Sequence, residues 1–122
     1  MIELVYDDTP PSLNRVGTRS NHWAVRDAKN RWQGIFEQIL MGAKLKRGQQ
    51  RIHATASLRL PVRRTRDEGN YRWMLEKALG DALKNGGWLA DDDATRFTFG
   101  KVDFEAPGPA RTTVTLEIGD AR

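Results

Sequence analysis

Asp67 with Glu68, Asn70, Lys77 and the run Asp91-Asp92-Asp93 are residues whose types suit phosphoryl chemistry. Carboxylates that converge on one point hold a hard cation, and magnesium needs only one or two besides water and a phosphate oxygen. Such an ion polarises a phosphodiester and helps ionise an attacking water, while a nearby lysine stabilises the charge that develops. At about 100° per residue, Asn70, Lys77 and Asp81 fall within roughly 40° of one another on a helix. The same spacing supports a plainer reading. Lys77 and Asp81 are four residues apart, as in a surface ion pair. Aspartates at a helix start also serve as caps or partners of the helix dipole. A triple aspartate in a loop is often a solvated turn. Spacing alone leaves these readings open.

The chain around these acids is basic. It has 122 residues, a formal charge of +4 and a pI near 9.8, which favours an anionic partner such as nucleic acid. Apolar residues make up 39% and charged residues 30%, fitting one small domain over 1–122 with a modest core. No run approaches the roughly 20 apolar residues that span a bilayer, and the start lacks the pattern of a secretory signal. Absence of cysteine excludes a disulfide framework and a thiolate metal site, and the cytoplasm is the default compartment.

Hydropathy patterning supplies the elements that must position the acids. Residues 2–6 read as a short strand, ended by Asp7-Asp8-Thr9-Pro10-Pro11. Ser20 or Asn21 caps a helix whose apolar face is Ala28, Trp32, Ile35, Phe36, Ile39, Leu40 and Ala43, with Gly48 closing the region. Ile52, Ala54, Ala56, Leu58 and Leu60 alternate with polar residues as a half-buried strand. A second helix is expected from about Asn70 to Lys84, buried along Tyr71, Met74, Leu75, Ala78, Leu79, Ala82 and Leu83 and stopped by Asn85-Gly86-Gly87. Strands at about 94–103 and 111–118 complete the order β-α-β-α-β-β. The expected fold is a small α/β (α+β) domain with a mixed sheet and two main helices. Asp67 and Asp91–Asp93 flank the second helix, which is roughly 22 Å long. They meet only if the chain after Gly87 folds back.

Read in order, the motifs are Pro10-Pro11-Ser12-Leu13-Asn14, His22-Trp23, Arg63 to Asn70, Lys77-Ala78-Leu79-Gly80-Asp81-Ala82-Leu83 and Gly87-Trp88-Leu89-Ala90-Asp91-Asp92. This succession resembles the RusA family of Holliday junction resolvases, common in phages and prophages, from about Pro10 to Phe97. The resemblance implies a homodimeric, magnesium-dependent endonuclease that resolves four-way DNA junctions by paired nicks, with manganese as a possible substitute. Carried over by position, its catalytic residues are Asp67, Lys77, Asp91 and Asp92, with Asp92 the stronger of the pair. The metal ligands are Asp67, Asp91 and Asp92, with Glu68 as a proposed addition. Two departures stand out. Gly69 occupies the place of a second aspartate, and Lys77 lies one turn further from Asn70 than in the best-known member. Arg72 and Arg66 are therefore reserve candidates for the cationic role. The alternative is a catalytically weak or inactive branched-DNA-binding protein of the same fold.

DNA contacts are expected from Asn14, Arg15, Arg19, His22, Arg26 and Lys29 around the first helix start, and from Arg63, Arg64, Arg66 and Asn70. Arginine and lysine there would meet phosphates, which give affinity without sequence information. Trp23 has two readings, a base-stacking residue or a core and interface residue. Trp32 reads as core, and Trp73 as a residue beside the Asn70–Lys77 stripe that suits a dimer contact or DNA. With His53 on a polar strand face, no histidine metal pair is indicated. A symmetric four-armed substrate favours a two-fold dimer.

Overall fold

The computed structural model describes residues 1–11, 22–61, 68–89 and 96–119, without the side chains of His22, Glu68 and Asn70. Among the described residues six elements follow in the order β1 (Ile2–Tyr6), α1 (His22–Gly42), β2 (Arg51–Arg59), α2 (Glu68–Asn85), β3 (Phe97–Phe104) and β4 (Arg111–Gly119). This is an α+β fold with a four-stranded mixed sheet in the order β1-β4-β2-β3. β2 runs parallel to β3, and β4 lies antiparallel to both β2 and β1. Among the described residues no helix is long and apolar enough to cross a membrane.

Alternation along the strands decides which face is covered. Register aligns Ala54 with Leu116, which in turn faces Ile2, and Ala56 with Val114, which faces Leu4. Their side chains join one core with Trp32, Phe36 and Leu40 of α1 and Leu75, Leu79 and Leu83 of α2. Each large apolar side chain buried there contributes on the order of 1.5–3 kcal/mol before chain entropy is set against it. His53, Thr55 and Ser57 of β2 meet Glu117, Thr115 and Thr113 of β4 on the opposite, polar face.

β3 keeps its apolar residues on the core side by an irregularity. Phe97 and Phe99 pair with Ile52 and Ala54, but Val102 and Phe104 pair with Ala56 and Leu58. One extra residue therefore lies on β3 between Phe99 and Val102, and the inward parity changes from odd to even. The strand expected at about 94–103 carries no sign of this step in its sequence. The strand itself begins at Phe97 and ends at Phe104.

α1 stops at Gly42, well before Gly48. Ala43 closes the last turn by donating to the Leu40 carbonyl at 3.2 Å. Gly48, at φ 79°, instead turns the chain into β2. Trp32, Phe36 and Leu40 are buried as the helical spacing predicts, with Ile35, Ile39 and Ala43 packed at the margin. Ser20 and Asn21, the expected caps, lie outside the described residues.

Candidate functional site

α2 carries the described part of the site on a face separate from its buried stripe. Trp73, Lys77 and Gly80 are spaced by four and three, so they line one row of the helix. With Arg72 and Glu76 they form one wall of a groove of about 400 Å³, and Phe97, Thr98 and Phe99 of β3 form the other. Arg72 Nη2 donates to the Phe99 carbonyl at 2.8 Å, and Arg72 Nε stands 3.4 Å from Glu76. This reserve cation thus ties α2 to β3. Trp73 is 44% exposed at the groove.

Gly86 and Gly87 form the turn that ends α2. Trp88 and Leu89 both donate to the Leu83 carbonyl, at 3.0 and 3.1 Å, capping the end of α2. Gly87 takes φ 74°, a conformation that costs an L side chain about 1–2 kcal/mol. The α1–β2 loop then grips the turn. Gly48 donates to Gly87 at 2.9 Å, Gln49 donates to Trp88 at 2.8 Å, and Gln49 bridges Leu89 in parallel. Arg47 donates to the Gly86 carbonyl at 2.9 Å and lays its guanidinium 4.6 Å from the Trp88 ring centroid. On the other side of 90–95, the Arg96 carbonyl accepts from Ile52 at 2.8 Å. The chain leaves beside Gln49, returns beside Ile52, and enters the Lys77 groove at Phe97.

The expected acids themselves are Asp67, Asp91 and Asp92, which lie outside the described residues, as do Asp93 and Gly69's preceding arginines Arg63, Arg64 and Arg66. Glu68 and Asn70 occupy the first turn of α2, and their side chains are outside the description. Lys77 sits roughly 13 Å along the helix axis from Glu68, at about 1.5 Å per residue. Among the described residues no three His, Asp or Glu side chains are grouped to hold a metal ion.

Lys77 does meet Asp81, as the plainer reading of the spacing requires. Its Nζ lies 3.5 Å from one Asp81 oxygen, while Lys29 of α1 binds the other oxygen at 2.9 Å. Lys29 also donates to Gln33 at 2.9 Å, Gln33 to Glu37 at 3.1 Å, and Asn85 to Glu37 at 2.9 Å. A polar ladder therefore runs along the seam between the two helices. Lys29, Gln33 and Glu37 repeat every four residues, which is the only sequence signal for it. The cross-helix partner of Lys29 was not legible. Partial burial pushes the Asp81 carboxyl up, but the hydrogen bond and charge of Lys29, followed by Lys77, outweigh it, leaving the group below its ordinary 3.8.

The remaining expected DNA contacts divide. Asn14, Arg15 and Arg19 lie outside the described residues, and so does the His22 side chain. Trp23 is 60% exposed, not core, and Arg26 stands 5.7 Å from its ring centroid. Lys29 is turned toward Asp81 and Gln33. Trp32 is core. His53 Nδ1 lies 2.7 Å from Thr98 Oγ1 on the polar sheet face. The chain matches no protein-family model and no curated protein sequence.

Proposed function

We propose that the protein is a magnesium-dependent, structure-selective endonuclease that resolves Holliday junctions by paired cleavage, a resolvase of the RusA kind. What supports the reading best is the groove: Lys77 faces the strand into which the Asp91–Asp93 segment runs, and both flanks of that segment are fastened. Asp67, Asp91 and Asp92, with Glu68, would hold the ion, which when bound supplies Lewis-acid activation of the phosphate and an ionised water. Lys77 offers an ammonium to the charge that develops on the phosphoryl oxygens. Arg26 and the basic residues of the first loop attract the DNA backbone. Two cuts on a four-armed substrate call for a two-fold pair of subunits.

Cleavage of labelled four-way, forked and linear DNA in magnesium and in manganese tests the proposal. Wild-type protein is expected to nick the four-way junction in opposed strands. Asp92→Asn is expected to lower that rate by a factor on the order of 10² or more while binding is retained. Persistent cutting by the variant removes Asp92 from the mechanism. A second reading, a branched-DNA-binding protein without catalysis, is favoured by Gly69 at the position of a ligand. It predicts salt-sensitive junction binding with no nicks in either metal. Equal cutting of forked or linear DNA moves the substrate class away from four-way junctions.

A further inference from the structure

We propose that Asp81 is a positioning residue for Lys77, fixed in turn by Lys29, so that α1 sets how the α2 ammonium is presented to the groove. The role of Lys77 rests on the nuclease reading, whereas the hold that Asp81 exerts does not.

Asp81 differs from a carboxylate in an ordinary surface pair. Its side chain is 21% exposed, and its two oxygens face different lysines from different helices. The two contacts are unequal. Lys29 is 17% exposed, binds at 2.9 Å and is restrained again by Gln33. Lys77 is 50% exposed and stands at 3.5 Å, beyond a strong charge-assisted hydrogen bond. The tight lysine neutralises the carboxylate, and the loose one is held without being consumed. When a phosphate oxygen enters the groove, Lys77 can turn to it, and Asp81 keeps a charged partner. A lone Lys77–Asp81 pair lacks this property, because departure of the lysine would strand a partly buried carboxylate.

The ladder explains why the arrangement keeps its place. Glu37 accepts from Gln33 at 3.1 Å and from Asn85, at the end of α2, at 2.9 Å. Gln33 in turn holds Lys29, and Lys29 holds Asp81. The orientation of the carboxylate is thus fixed from both helices. Lys77 lies one turn toward the start of α2 from Asp81 and lines the groove opposite Phe97 and Thr98.

Two measurements on the full chain test the proposal. The first is the NMR signal of the Lys77 amine after reductive ¹³C-methylation, assigned by its loss in Lys77→Arg. A separate signal in the wild type should merge with those of mobile surface lysines in Asp81→Asn. The second is cleavage kinetics. In Asp81→Asn the single-turnover rate should fall about 10-fold to 100-fold, as for a misplaced catalytic group. Junction affinity should not weaken, since a carboxylate has been removed from a phosphate-binding protein. Asp81→Glu should regain part of the rate, and Lys29→Met with Asp81→Asn should be no slower than Asp81→Asn alone. A Lys77 signal unchanged by Asp81→Asn overturns the hold, and wild-type cutting by Asp81→Asn overturns its role. If the wild-type protein cuts nothing in either metal, the nuclease reading fails by itself and the lysine signal alone decides the hold of Asp81.

Discussion

Asp81 keeps its charge in a half-sheltered place where burial opposes ionisation and two ammonium groups favour it. Its folded-state pKa is lowered from 3.8, so the unfolded chain takes up a proton first as the pH falls. The stability gained from the ionised group is fully present above the unfolded value and is lost as the pH falls through the lower folded value. Asp81→Asn is expected to lower stability by about 1–2 kcal/mol at neutral pH, a range set by partly buried charged hydrogen bonds. That gap should narrow as the pH falls below 3.8 toward the lower folded value, and it closes only when the carboxyl is protonated in both states. Melting temperatures of the two proteins across pH 3 to about pH 7 check it. A gap that stays constant with pH assigns the effect to packing instead of charge. At this scale the Lys77–Asp81 spacing is legible in the sequence, and Lys29 is not, because its partner comes from another helix.

The end of α2 shows how a short segment depends on a few backbone positions. A Cβ on Gly86 would collide with the ring of Trp88, which also receives the Arg47 guanidinium. A Cβ on Gly87 has space but a strained φ of 74°. Gly87→Ala should therefore cost about 1–2 kcal/mol. Gly86→Ala should cost more, on the order of 2–3 kcal/mol, and displace Trp88 with its stack. Chemical denaturation orders the two variants, and tryptophan fluorescence should change only in Gly86→Ala. Similar costs with unchanged fluorescence would show that Trp88 does not depend on Gly86. The glycine stop was legible as a stop. That Gly48, Gln49 and Arg47 would grip it was not, since these residues lie in another loop.

Across the whole molecule the sheet divides its work between faces. One face and the helices share the core, and the other carries His53, Thr55, Ser57, Thr113, Thr115 and Glu117. The net charge of +4 is spread over a surface that also carries Asp81, Glu76 and Glu37 in ion pairs or hydrogen bonds. Binding of a DNA junction, under the proposed function, should therefore be dominated by phosphate contacts. If about six cations meet phosphates, affinity should fall roughly 10³-fold between about 50 and 200 mM salt. Fluorescence anisotropy at several salt concentrations measures the slope, and Asp92→Asn should share it. A flat salt response would remove the phosphate-contact account.

Some features were settled by the chain itself. The period of Trp32, Phe36 and Leu40, and the run from Met74 to Leu83, determine two amphipathic helices, because those side chains can leave water only on one face. Alternation from Ile52 to Leu58 determines a strand with one covered face for the same reason. Local spacing also brings Lys77 to Asp81. Tertiary structure decided the rest. It paired β2 in parallel with β3 and inserted the extra residue before Val102. It joined Lys29 to Asp81, and it fastened both ends of the segment that carries Asp91 and Asp92. Each of these depends on which distant surfaces bury one another, and no local period in the sequence records that choice.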